Sequence, residues 1–146
     1  MLSDRTRQAL LDIRENCLLA KTFLEGMEFA AFAEDRRTFY AVVRCLEIIS
    51  EASRRLDETF RVEHPELPWR AIMGSGNVYR HNYDNVGEDL VWRTVKDSLP
   101  KLLEVVDREF SRSAEVKSGG GMSPLLQNKD LSVDVLMWFT KKLAVF

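Results

Sequence analysis

A chain of 146 residues with 45% apolar and 30% charged residues is long enough for one domain with a real core and no covalent staple. Its formal net charge of −2 excludes a global basic field, so a nucleic-acid ligand would need a local basic patch. Cys17 and Cys45 fall on apolar helical faces and read as reduced core thiols. With two histidines far apart, they give no metal-site spacing, and neither a metal nor another cofactor is expected.

The opening MLSDRTRQ is polar and charged, so no signal peptide is expected. No apolar run approaches the roughly 18 residues that span a bilayer. These features predict a cytoplasmic protein without a membrane partner.

In chain order, Leu10, Ile13, Cys17, Ala20, Phe23, Leu24 and Met27 recur at steps of three and four. They predict an amphipathic helix over 3–27, capped by Ser3 or Asp4 and ending near Gly26. Phe39, Val42, Leu46, Ile49, Leu56 and Phe60 predict a longer helix over about 35–63, stopped by Pro65 and Pro68. A third helix starts at Trp69 and carries Ile72 and Met73; Gly74, Ser75 and Gly76 are expected to weaken it. A polar break follows, and a fourth stripe runs from Leu90 to Val106, with a kink or a break expected at Pro100. Nothing alternates with period two for long enough to make a sheet. Residues 111–129 include three consecutive glycines and read as a flexible linker. Residues 130–146 return to apolar content and predict a tail helix packed on the body or on a partner subunit.

The stretch 69–92 carries the chemistry. His81 and Tyr83 stand two residues apart, a proton carrier near pH 7 beside a phenol that can donate a hydrogen bond or accept a modifying group. His64, before Pro65 at a helix end, reads as a cap or turn residue. Trp69 and Trp92 read as core anchors. Asn82, Asp84 and Asn85 favour a turn. Glu47, Glu51, Arg54 and Arg55 project from the polar flank of the second helix, either as a ladder of intrahelical ion pairs or as groups facing a cleft.

Four blocks in order, LEIISEASRR (46–55), HPELPWRAIMG (64–74), NVYRHNYDNVGEDLVW (77–92) and SLPKLL (98–103), resemble the HepT-like branch of the HEPN superfamily. The likeness covers roughly residues 4–106. It implies an all-α fold, an antiparallel bundle of four to five helices over residues 1–110 that forms a homodimer, to which the sequence adds the C-terminal tail helix. It also implies metal-independent cleavage of an RNA substrate by a toxin whose antitoxin is a minimal nucleotidyltransferase.

The signature of that family is Arg, four residues, His, one residue, Tyr. His81 and Tyr83 match its end, and Asn77 matches the asparagine that usually follows the arginine, but Gly76 stands at the arginine position. Arg80, one helical turn on, is the nearest substitute. The resemblance therefore makes His81, Arg80 and Asn77 the candidate catalytic residues. It makes Tyr83 the acceptor of an AMP group from the partner, against the alternative of a buried tyrosine bonded to its dimer mate. Glu51, Arg54 and Arg55 become candidate RNA-binding residues. With Gly76 lacking both charge and fork, weakened cleavage is expected, and the alternative function is a non-catalytic dimeric binding module that keeps the antitoxin surface.

Overall fold

The computed structural model describes residues 2–81 and 87–118, apart from the side chains of Arg80, His81 and residues 116–118. The regular secondary structure of the described residues is all helical, with no strand among them. The chain divides into a unit of residues 1–113 and another of residues 114–146, and the bundle is the first.

Helix α1 (Asp4–Phe23) opens on Ser3, whose Oγ accepts the Thr6 N–H at 3.1 Å, the cap the sequence suggested. It stops three residues before Gly26, which takes φ +75 in the turn that follows. Six further residues, FAAFAE, form α2 (Phe29–Glu34), an element too short to show a period of its own. Its Phe32 is fully buried. Asp35 then caps α3 (Arg36–Arg54), accepting from the Thr38 N–H at 3.1 Å and from Thr38 Oγ1 at 2.7 Å.

The long helix expected over 35–63 breaks at 55–57, and a separate α4 (Glu58–Glu63) follows. Side chains from elsewhere capture the backbone at the break. The Asp57 N–H donates to Thr6 Oγ1 at 3.1 Å, and Ser3 Oγ donates to the Asp57 carboxylate at 2.6 Å. Arg61 donates to the Leu56 carbonyl. Such local bonds offer the chain an alternative to the helical ladder, and here a long-range partner fixes them.

Helix α5 (Trp69–His81) starts where Pro68 permits and runs through Gly74, Ser75 and Gly76 without weakening. Its reason is tertiary and belongs to the site described next. Helix α6 (Glu88–Arg93) leads into a π-turn over Thr94–Ser98, and α7 (Leu99–Ser118) completes the bundle. Pro100 cannot donate, and its ring crowds the carbonyl four residues back. The widened turn, closed by the Leu99 N–H on the Thr94 carbonyl, absorbs that conflict. Helix α7 extends into the segment expected as a linker, because 111–118 (SRSAEVKS) holds no Gly or Pro and the glycines begin at Gly119. The remaining linker and the expected tail helix, 119–146, lie outside the described residues.

Leu10, Ile13, Phe32, Val42, Val91 and Val106 are fully buried at the centre. Cys17 and Cys45 are buried and unbridged, and burial pushes each thiol up to about 12. They are inert core groups at neutral pH. Two cross-links orient the long helices. Arg55 meets Asp12 at 2.6 Å and Arg14 meets Asp107 at 2.8 Å, so α1 lies antiparallel to α3 and also holds α7.

The Asp57 carboxyl is held below the usual carboxylate range, first by the Ser3 hydrogen bond and then by that of Thr6. A lowered folded-state value means that ionised Asp57 stabilises the fold above about pH 4 and that this contribution is lost as pH falls through the folded value. Asp57→Asn should therefore depress the melting temperature at pH 7. The gap to the parent protein should narrow as melts are repeated toward pH 3, and a gap constant with pH would contradict this assignment.

Candidate active site on α3 and α5

The face of α3 that meets α5 carries Ser50 and, one turn on, Arg54. Both reach the same acceptor. Ser50 Oγ donates to the Met73 carbonyl at 3.0 Å, and Arg54 Nε donates to it at 2.9 Å. Ser50 Oγ also accepts the Gly76 N–H at 3.0 Å. A small polar residue within an apolar stripe thus bonds to α5 at two points, and α5 continues through residues that are poor helix formers in isolation. The pairs 54 with 73 and 50 with 76 also fix the register: α5 runs antiparallel to α3, and its C-terminal end lies beside the middle of α3.

The candidate residues divide accordingly. Arg54 is fastened to α5 through the carbonyl one turn before Asn77, its Nη1 3.8 Å from Glu51 Oε2. Asn77 is exposed and Gly76 is buried. Glu51, Arg54 and Asn77 therefore flank one seam between the helices. Arg55 points the other way, into the ion pair with Asp12 on α1. Arg80 and His81 close α5. Their side chains, with the whole of Asn82, Tyr83, Asp84 and Asn85, lie outside the described residues.

A phenol within the described residues stands elsewhere on α5. Tyr79, on the same helix, is buried; burial raises its pKa, against a hydrogen bond with Thr94. It is committed to the interior. On that flank of α5 opens a groove of about 680 Å³, lined among others by Leu46, Ile49, Ile72, Val78, Leu90 and Leu102. Val78 and Leu90 remain 43% and 45% exposed.

The start of α5 is anchored too. His64 is the C-cap of α4, the place read from sequence, but its side chain is buried against Glu109 of α7, with Nε2 to Oε1 3.1 Å. Its carbonyl accepts the Trp69 indole N–H at 2.9 Å, and its ring lies 4.6 Å from that of Phe60. Glu109 also accepts from Arg112 at 2.9 Å. Trp69 is buried as expected, and Trp92 packs on Phe32 at 5.5 Å. Spacing could not find the long-range partners Ser50 and Glu109, although a serine inside an apolar stripe was a signal.

Among the described residues no group of three or more His, Cys, Asp or Glu is placed to hold a metal. Among them, too, no helix is long and apolar enough to cross a membrane.

Ser50→Ala removes the hydroxyl from both of its bonds to α5. At roughly 0.5–1.5 kcal/mol per bond, the loss should be about 1–3 kcal/mol, read from urea unfolding. Ser50→Thr, which keeps the hydroxyl, should recover part of it; equal loss in both variants would show that packing and not the bond matters.

The family profile described as Ribonuclease HepT-like matches residues 13–109. The Methanocaldococcus jannaschii protein named "Putative RNase MJ1380" is 35% identical over 107 residues, 73% of this chain and 98% of that one. "Probable ribonuclease HepT" of Thermococcus cleftensis is 39% identical over 93 residues, 64% of this chain and 84% of that one. "Putative RNase TTE0752" of Caldanaerobacter subterraneus is 33% identical over 96 residues, 66% of this chain and 86% of that one. No solved structure matches the chain. Four sequence blocks, an all-helical bundle and a profile that spans the seam from α1 into α7 lead to one conclusion: the chain belongs to the HepT-like ribonuclease family.

Proposed function

We propose that this protein is a metal-independent RNA endonuclease, the toxin of a toxin–antitoxin pair. The observation that carries the reading is the seam itself: a guanidinium, Arg54, bonded to the helix that presents Asn77 and ends at His81. Membership of a ribonuclease family supports the substrate class. Cleavage without a metal uses the ribose 2′-oxygen as nucleophile. That oxygen loses its proton, bonds to the adjacent phosphorus, and expels the 5′-oxygen, which takes up a proton. His81 is the group suited to carry these protons, an effect typically of 10²- to 10⁴-fold. Arg54 supplies the fixed positive charge for the phosphate that Gly76 lacks, with Arg80 as a second source and Glu51 orienting the guanidinium. Asn77 offers an amide to the same oxygens.

The reading extends to partners. A homodimer would cover the apolar groove beside α5, where Val78 and Leu90 stand exposed, and two copies of His81 could divide the base and acid roles. A minimal nucleotidyltransferase antitoxin would transfer AMP from ATP to Tyr83. The added phosphate would repel RNA phosphate from the cleft and block it by bulk. One observation favours a second reading: Gly76 at the arginine position suits a non-catalytic dimeric module that keeps the antitoxin surface.

Cleavage of single-stranded RNA in EDTA separates these readings. His81→Ala should lower the rate by at least 100-fold, and Arg54→Ala by at least tenfold. Arg55→Ala, whose partner is Asp12, should leave it within about twofold. Gly76→Arg should restore or raise activity. Absence of cleavage by the parent and by Gly76→Arg would favour the binding module, and loss on metal removal would reject the mechanism.

A further inference from the structure

Helix α5 lies within a stretch, residues 67–83, that holds no acidic residue, in a chain of net charge −2. Arg70, Gly74, Asn77 and His81 follow at steps of four, three and four, so these positions share one face of the helix. Arg70 and Asn77 are separated by about 10 Å along the axis, and Arg70 and His81 by about 16 Å. Arg70, Gly74 and Asn77 are exposed. A Cβ at Gly74 would meet nothing within 4 Å. Among the described residues, then, nothing fills the space over the middle of this face.

Arg70 differs from the other arginines beside the seam. Arg54 is bonded to the Met73 carbonyl and lies 3.8 Å from Glu51, and Arg55 is paired with Asp12 at 2.6 Å. Arg70 has no hydrogen bond or ion pair with any described residue. The carboxylate four residues before it, Glu66, turns to His64 instead, with Oε1 3.5 Å from Nδ1. An exposed arginine without a partner adds little to stability, yet its planar fork stays available to two oxygens of a phosphate. The register of the seam, with Arg54 at the level of Met73, sets the cations in a row. Arg70 comes first, Arg54 follows one turn on, and Asn77 and the end of α5 come after. A row of this kind matches an anion with repeated charges more closely than a single phosphate.

The geometry points to a further phosphate subsite at the start of α5, in which Arg70 holds a backbone phosphate of the RNA strand flanking the scissile step. The bound strand then runs along the exposed face of α5 toward His81. This inference rests on the proposed ribonuclease reading and extends it from the reacting atoms to the course of the strand. Arg70 acts on binding: it reads charge and not bases, and it favours substrates long enough to reach it.

The test uses the full chain in two assays. In the first, a His81→Ala background is titrated with fluorescent single-stranded RNA of about 12 nucleotides, a length within the range of such grooves. Arg70→Gln should weaken binding roughly three- to tenfold, equally for different sequences, and lower the slope of log K against log salt by about 0.7. Arg70→Lys, which keeps the charge, should keep the slope. Lys21→Gln removes an exposed cation from α1 and should leave affinity within about twofold. Melting curves check that each variant keeps the fold. In the second assay, cleavage of the long RNA by the otherwise native chain should show a raised KM and a nearly unchanged kcat in Arg70→Gln. Cleavage of a dinucleoside monophosphate, too short to reach Arg70 from His81, should be unaffected. Native affinity and salt slope in Arg70→Gln, or an equal fall in Lys21→Gln, would overturn the subsite. Absence of RNA binding by the parent would overturn it together with the reading it rests on. Affinity that falls in Arg70→Gln while no variant cleaves RNA would support the subsite and reject the ribonuclease reading. Active cleavage with unchanged KM in Arg70→Gln would do the reverse. An equal loss on the short and long substrates would place Arg70 at the scissile phosphate or in the fold, and would also overturn the proposal.

Discussion

The Met73 carbonyl accepts two donors from α3, Ser50 Oγ and Arg54 Nε, and the geometry of the site depends on that pair. An α-helix containing Gly74, Ser75 and Gly76 has little intrinsic reason to persist. Here tertiary bonds supply it, together with the Gly76 N–H on Ser50. The same bonds set the spacing of α3 and α5 and hold a guanidinium against the helix that ends at His81. On the proposed reading, structure and chemistry share residues, and the seam should be intolerant of change at positions that never touch a substrate.

Other bonds support this arrangement from outside. The Asp12–Arg55 and Arg14–Asp107 pairs tie α1 to α3 and α7. His64, Glu109 and Trp69 fix where α5 begins. With α3 held by α1 and α5 held at its start by α7, the relative position of the two helices at the seam has few ways to relax. The proposed metal-free cleavage would depend on preorganisation of this kind, because its catalyst supplies little beyond proton carriers and fixed charge.

Much of this was legible in the sequence, and the failures have physical causes. Periodicity located α1, α3 and the stripe of α7, because burial of one face imposes it. Pro68 and Ser3 marked helix starts for local steric and hydrogen-bonding reasons. The break after α3 was hidden: its causes, Ser3 and Thr6, lie some fifty residues away and bond to Asp57 only in the folded chain. The glycines of α5 misled for the same reason, since local propensity argued against a helix that Ser50 and Arg54 sustain. Pro100 correctly signalled an irregularity but not its form as a π-turn. At the site, the two adjacent arginines looked equivalent, yet the roughly 100° between neighbours on a helix sends Arg55 to α1 and Arg54 to α5. His81 and Tyr83 were singled out by their chemistry and by the family signature whose end they match.

The most direct measurement of the central claim is where RNA touches the protein. Photo-crosslinking of single-stranded RNA carrying 4-thiouridine to the full chain, with adducts located by mass spectrometry, reads this without requiring turnover. The account predicts adducts on peptides from the exposed face of α3 and from the end of α5, reduced by added salt. Adducts confined to other helices, or an absence of adducts at concentrations where RNA is bound, would contradict it.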